Sequence, residues 1–145
     1  MVVKTFRGLL ADGGQDRIRL STNKGKVGYR IVKLQVIGDE PGGATGYECI
    51  VKLWKSEQAT IDAVINFTDS DLLSVGTWSS SSDTKSYPDD MIVIFDREIF
   101  NQDIYITHSE IAGSASCNYY FELEVIPLTD QGAEYTTLKD IRTQS

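Results

Sequence analysis

Cysteine, histidine and proline are scarce in this sequence, and their scarcity excludes several classes of protein. Of its 145 residues, two are cysteines, one is a histidine and three are prolines. Cys49 and Cys117 lie far apart, which is neither a zinc-binding spacing nor a disulfide framework. Because free cysteine is usually buried, we expect both thiols to be buried and reduced, and they could be neighbours across strands. A single disulfide bridge is the alternative.

Long apolar runs are also missing. No segment approaches the roughly 18 apolar residues that a membrane-spanning helix needs. The N-terminus lacks the basic start, apolar stretch and cleavage site of a signal peptide. We therefore expect no membrane partner.

Basic residues are too few for a nucleic-acid-binding protein. The net charge is −7, whereas binding to phosphates needs a basic surface, so we expect no nucleic-acid partner. The charge is uneven, because residues 1–60 carry ten basic and six acidic side chains and residues 61–145 carry four and fifteen. This asymmetry suggests a basic and an acidic end, a shape that suits head-to-tail contacts with copies of the chain or with another protein. A solvated surface with a chance bias is the alternative.

Catalytic equipment is sparse as well. The nucleophile elbow, the phosphate-binding loop and the His-Glu-x-x-His motif are absent. The histidine, His108, shares a strand face with Ile104 and Ile106, which predicts a partly buried structural residue at a strand end. The carboxylates of Asp69 and Asp71 lack the spacing of a calcium loop. We expect no enzyme activity, no catalytic residue, no metal ion and no cofactor.

What the sequence does contain is alternation of apolar and polar residues, which predicts β-strands. The clearest run is 117–125, where odd-numbered residues are apolar or aromatic and even-numbered residues are mostly polar. Turn residues separate the runs. About eight strands are predicted, at 16–21, 28–37, 47–55, 61–67, 72–78, 91–95, 104–107 and 117–125.

Short strands separated by turns indicate an all-β sandwich, such as a jelly roll, or a barrel, and alternation with one polar face favours antiparallel pairing. We predict a single antiparallel β-sandwich domain, jelly-roll-like, over residues 1–128. Nine of its residues are predicted to lie in the core: Val32, Leu34, Val51, Leu53, Ile65, Val93, Ile106, Phe121 and Leu123.

Residues 129–145 differ in character and are predicted to form a short C-terminal arm. Tyr135, Leu138 and Ile141 recur at every third position, which fits a short helix with an apolar stripe or a segment docked on another surface. Burial of three large side chains cannot offset the entropy lost by ordering the whole arm. We therefore expect the arm to be ordered only where it docks, either on its own sandwich or on a neighbouring subunit, and of the two we predict the neighbouring subunit. These three residues are interface candidates.

Exposed aromatic residues form a second group of candidates. Trp54, Trp78, Tyr87, Tyr105 and Tyr120 fall opposite the predicted core or in loops. Such residues could stack on sugars or form a protein interface. Alternatively, a second sheet or a neighbouring subunit covers them. Trp54 and Trp78 complete the set of interface candidates.

Several short motifs extend over nearly the whole chain. The longest is IFDREIFNQDIYITH at 94–108. Others are at 7–8, 12–13, 16–18, 28–31, 51–55, 60–62, 66–67, 118–124 and 137–142. Through these motifs the chain resembles small structural proteins of marine bacteriophages that infect cyanobacteria and Pelagibacter-like hosts.

The resemblance implies a virion component, assembled in the host cytoplasm, and supplies no catalytic residues. Our leading hypothesis is a capsid decoration (cement) or minor head protein that forms a homo-oligomer and binds major capsid or tail subunits. The alternative is a module on a tail or head fibre that recognises a host-surface glycan or receptor.

Overall fold

The computed structural model describes residues 2–20, 26–41, 46–80, 89–95, 98–129, 135–139 and 141. The strands are β1 (Val2–Leu10), β2 (Gln15–Ile18), β3 (Val27–Gly38), β4 (Tyr47–Trp54), β5 (Leu72–Ser80), β6 (Asp89–Ile94), β7 (Ile104–Glu110) and β8 (Cys117–Pro127). They form a three-stranded sheet, β1-β8-β3, and a five-stranded sheet, β2-β7-β4-β5-β6, with every pair antiparallel. The prediction of an antiparallel all-β sandwich is confirmed.

The strand order is closely related to a jelly roll. Rolling up a long hairpin of eight strands places strand 1 beside 8, 2 beside 7, 3 beside 6 and 4 beside 5. Three of these pairs are present here as ladders, β1 with β8, β2 with β7 and β4 with β5. The remaining strand, β6, is paired with β5 at the edge of the larger sheet, although it still lies close to β3.

Strand β8 supplies the centre of the core. It lies between β1 and β3 and is paired on both edges. Because side chains alternate along a strand, its odd-numbered side chains share one face, which points towards the five-stranded sheet. Phe121 and Leu123 are fully buried. The Phe121 ring stacks between Phe6 and Tyr119, with centroid separations of 5.1 and 5.9 Å. The regular alternation of this strand is the direct result of its central position.

Six of the nine predicted core residues are buried, and three are not. Val32 is half-buried because the pairing of β3 with β8 shifts at a β-bulge between Ile31 and Lys33. Val93 is half-buried in the edge strand β6. Ile65 is exposed in the connection between β4 and β5.

One predicted strand is wrong, and a different strand was missed. Residues 61–67 form no strand, because the side chains of Asp62 and Asn66 accept hydrogen bonds from backbone N–H groups two residues further on. Such local bonds compete with a ladder. The missed strand, β1, has no clean alternation because it is an edge strand that is only partly buried.

The fold also interleaves the two halves of the chain that differ in charge. The acidic strand β8 lies between β1 and β3, which carry basic residues. Within the described residues, four ion pairs join the first half to the second, such as Arg30 Nη2 to Glu124 Oε2 at 2.7 Å. Within the described ranges, these pairs bring opposite charges of the two halves together instead of separating them into a basic and an acidic end.

Candidate functional site

The C-terminal arm contains a short helix, at residues 135–139 and 141, that lies on the sandwich through its polar side. Thr136 is buried. Asn101 Nδ2 donates to Thr137 Oγ1 at 2.6 Å, and Lys139 Nζ donates to the carbonyl of Ile99 at 2.9 Å. The described part of the arm is thus anchored on its own sandwich, which is the alternative to the neighbouring subunit that we predicted. Residues 130–134, 140 and 142–145 of the arm lie outside the described part.

The opposite side of this helix is apolar and faces outward. Tyr135, Leu138 and Ile141, which we call the apolar stripe, are 70%, 60% and 51% exposed. A surface helix normally buries its apolar side against its own domain. The reversed orientation leaves three large apolar side chains available to another molecule.

Glu98 connects the helix to the larger sheet. Its carboxylate is held by the Nζ atoms of Lys55 and Lys139, the latter at 3.1 Å. Burial would raise the pKa of Glu98, but hydrogen bonds and charges from the two lysines outweigh it and lower the pKa below the ordinary value of 4.5. The carboxylate is therefore ionised when it anchors the arm.

Acidification is expected to loosen the arm. Because the folded-state pKa of Glu98 is lowered, its contribution to stability is present above pH 4.5 and is lost as the pH falls through the folded value. Hydrogen–deuterium exchange read by mass spectrometry, corrected for the intrinsic exchange rate at each pH, should show less amide protection at 135–141 at about pH 3 than at about pH 7, while β8 remains protected. Glu98→Gln should loosen the arm at neutral pH. An arm that stays equally protected in both tests would mean that Glu98 does not hold it.

Trp54 and Trp78, the other interface candidates, are buried within this chain at 8% and 5% exposure. Trp78 packs edge-on against Tyr47 in the core, with ring centroids 5.2 Å apart. Trp54 lies in a smaller apolar cluster, where its Nε1 donates to Thr107 Oγ1 at 3.0 Å. This corrects the expectation of an interface at the two tryptophans, because they present almost no surface to a partner.

A groove of about 850 Å³ is lined by all three strands of the smaller sheet together with β5 and β6 of the larger one. Tyr120 lines it, and its hydroxyl donates to Glu122 Oε2 at 2.6 Å. Of the other predicted platform residues, Tyr105 packs in the Trp54 cluster and Tyr87 lies outside the described residues. The other lining residues are Arg7, Gly8, Leu9, Gln35, Val36, Ile37, Asn118 and Tyr119 of the smaller sheet, and Trp78 and Asp90 of the larger one.

Cys49, His108 and Cys117 meet in the interior, and each is at most 1% exposed. The two sulfurs and one imidazole nitrogen all lie within 4.8 Å of one another. The cysteines are free and buried, as predicted. A hydrogen bond with Cys117, together with burial, raises the pKa of the Cys49 thiol. The sequence analysis allowed for the two cysteines to be neighbours, but it missed His108, because strands far apart in the chain bring the three residues together.

His108 is completely enclosed rather than partly buried at a strand end. Its Nε2 lies 3.1 Å from the carbonyl oxygen of Ala115, which can only accept, so Nε2 carries the proton. The other nitrogen, Nδ1, is buried and has no hydrogen-bond partner among the described residues. A buried polar atom without a hydrogen-bond partner lowers the free energy of unfolding by about 1–3 kcal/mol. Nδ1 therefore needs a partner that the described residues do not supply.

The carboxylates at 69 and 71 have structural partners. Asp71 Oδ2 accepts hydrogen bonds from Ser56 Oγ and from Gln58 Nε2, the latter at 2.9 Å. Asp69 Oδ1 accepts the backbone N–H of Asp71 at 3.0 Å. These bonds shape the turn that leads into β5.

Comparisons of the chain with protein families, with curated proteins and with solved structures find no match. In the described part of the chain, no helix is both long enough and apolar enough to cross a membrane. What the protein does must therefore be inferred from the outward helix, the groove and the interior cluster.

Proposed function

We propose that the protein is a non-enzymatic structural component of a bacteriophage virion, either a capsid decoration (cement) protein or a minor head protein. One observation carries the proposal: the C-terminal helix is anchored by its polar side and turns the apolar stripe outward. The resemblance to marine phage structural proteins supports the assignment to a bacteriophage particle. The jelly-roll-related sandwich supports it as well, because this architecture recurs in viral capsid proteins.

The size of the stripe suits repeated contacts better than a single tight one. Burying its exposed parts against a neighbouring subunit would stabilise one contact by about 3–5 kcal/mol. Association costs a comparable free energy in lost translational and rotational freedom, so one such contact binds weakly. A homo-oligomer that makes several contacts at once on a capsid lattice binds strongly without any single tight contact.

The proposal is tested by removing the stripe while keeping its anchor. The triple variant Tyr135→Ser, Leu138→Ser, Ile141→Ser retains the threonines and Lys139, so it should fold with an unchanged core. We expect its self-association and its occupancy on virions to fall at least about tenfold, the factor that corresponds to 1.4 kcal/mol. Sedimentation of the purified chain and imaging of particles at side-chain resolution measure the two effects.

Val64→Ser is the matched control, because Val64 is equally exposed but lies in the connection between β4 and β5. It should leave both measurements unchanged. A chain ending at Thr129 should also fold as a sandwich and lose particle binding. Full occupancy of particles by the triple variant or by this shortened chain would contradict the proposal.

A second candidate function is recognition of a host-surface glycan or receptor by a tail or head fibre, and the groove favours it. An aromatic ring beside polar groups such as Arg7 and Asn118 is suited to stacking and hydrogen bonding with a sugar. Calorimetry with host polysaccharide should then show binding that Tyr120→Ala abolishes. Tyr135→Ala, which removes an exposed tyrosine outside the groove, should have no effect. A groove covered by a neighbouring subunit in the particle would count against this function.

A further inference from the structure

We propose that Cys49, His108 and Cys117 form a buried structural site for a zinc ion, with the carboxylate of Glu110 as the fourth ligand. Cys49 and His108 lie on the adjacent strands β4 and β7 of the larger sheet, and Cys117 lies on β8 of the smaller one. The site is separate from the helix and the groove. An ion bound there would link the two sheets of the sandwich directly.

The donor atoms suit this ion. Two thiolates and an imidazole are typical ligands of Zn²⁺, whereas calcium and magnesium prefer oxygen ligands throughout. Two thiolates balance the two positive charges of the ion, and the one negative charge that Glu110 adds is stabilised by the two backbone N–H groups that its Oε1 accepts. A metal with this set of ligands can therefore be buried without leaving a large uncompensated charge between the sheets.

The free imidazole nitrogen is an independent indication of a ligand. The bond from Nε2 of His108 to the carbonyl of Ala115 places the proton on Nε2 and leaves a lone pair on the buried Nδ1. Metal-binding histidines typically donate their second nitrogen to a backbone carbonyl in this way, which sets the tautomer and the ring orientation. A zinc ion would give Nδ1 the partner that the described residues do not supply.

The spacing requires only a small adjustment. With zinc–sulfur bonds of about 2.3 Å, two sulfurs of a tetrahedral site are about 3.8 Å apart. The three ligand atoms here already lie within 4.8 Å of one another. A contraction of about 1 Å or less, within reach of side-chain rotation, therefore brings them to bonding distance.

Glu110 is the candidate for the fourth position. Its Oε2 lies 3.2 Å from Cys49 Sγ. Its Oε1 accepts the backbone N–H groups of Glu48 at 2.6 Å and Ala112 at 3.2 Å. These two bonds hold the carboxylate with Oε2 beside Cys49. Glu110 does not belong to the group of ligand atoms that lie within 4.8 Å of one another, so its carboxylate has to move towards Cys117 and His108 to act as the fourth ligand.

The test begins with refolding, because an enclosed site has to take up its ion before the sheets close. The full chain is unfolded with a thiol reductant, refolded with Zn²⁺ or Co²⁺, desalted and analysed for metal. We expect one ion per chain and, with Co²⁺, a thiolate-to-metal charge-transfer band together with the visible bands of a tetrahedral site. The melting temperature should rise by more than about 10 °C over that of chain refolded with a chelator.

Substitutions identify the ligands. Cys49→Ser and Cys117→Ser should lose the ion, and Glu110→Gln should weaken binding about 10–100-fold. Ile106→Val, at a buried neighbouring position of the same strand as His108, is the control, and it should destabilise the fold but retain one ion per chain. An unchanged affinity in Glu110→Gln would overturn the assignment of the fourth ligand.

The wild-type measurements decide the matter even if a cysteine variant fails to fold. Fewer than about one ion per ten wild-type chains after refolding with Zn²⁺ would overturn the site. A cobalt complex without the charge-transfer band would also overturn it, since the metal would then lie elsewhere. A Cys49–Cys117 disulfide in freshly purified protein would overturn it too, because a disulfide leaves no thiolates to bind an ion.

Discussion

Replacing Phe121 by alanine is expected to lower the free energy of unfolding by about 3–5 kcal/mol. Phe121 is fully buried at the centre of β8, and its ring stacks between Phe6 and Tyr119. Truncation removes contacts with both sheets and leaves a cavity that three paired strands cannot close. Thermal unfolding should shift down by about 10–16 °C for a domain of this size.

Phe67→Ala is the matched control for this substitution. Phe67 is 55% exposed and makes one edge-on contact with Phe95 at 5.4 Å. Removing the Phe67 ring should lower the free energy of unfolding by less than about 1 kcal/mol, because most of its surface is already in water. Equal losses for Phe121→Ala and Phe67→Ala in denaturant titrations would show that the core is not centred on β8.

Replacing Asp103 by alanine is expected to lower the free energy of unfolding by about 2–3 kcal/mol. The Asp103 side chain lies just before β7, where Oδ1 accepts the buried backbone N–H of Leu20 at 2.7 Å and Oδ2 accepts Arg17 Nε at 2.8 Å. Alanine would leave the N–H of Leu20 without its acceptor. The ion pair itself contributes little, because the Arg17 side chain is half-exposed.

Asp103→Asn separates the two contributions. Asparagine keeps an oxygen that can accept from Leu20 but removes the negative charge that faces Arg17. In denaturant titrations at constant salt, we expect Asp103→Asn to lower the free energy of unfolding by less than half as much as Asp103→Ala does. If asparagine destabilises the protein as much as alanine does, the charge rather than the hydrogen bond to Leu20 is the dominant contribution.

Strands could be predicted from the sequence where buried and exposed side chains alternate residue by residue. β8 is paired on both edges and faces the core on one side only, so its pattern in the sequence is nearly perfect. The edge strand β1 has a weaker pattern, because much of it contacts water, and it was missed. Residues 61–67 alternate like a strand. There, however, hydrogen bonds from backbone N–H groups to nearby side chains form in place of the hydrogen bonds between strands.

The candidate surfaces were predictable only in part. The spacing of Tyr135, Leu138 and Ile141 indicated an apolar stripe, and the structure places these residues together on the exposed side of a helix. The polar anchor beneath that helix was not foreseen. It depends on Asn101 and on the carbonyl of Ile99, which belong to a distant segment and carry no signal in the arm itself.

The sequence by itself determined which side of a strand such as β8 points inward, because alternation within a strand is a local property that burial of one face imposes. From this followed the all-β sandwich and most of its core. Only the tertiary structure decided which distant residues meet: the enclosure of Trp54 and Trp78, and the cluster of Cys49, His108 and Cys117. The physical reason is that such contacts depend on the order of strands in two sheets and on how the sheets pack, and no single strand encodes either.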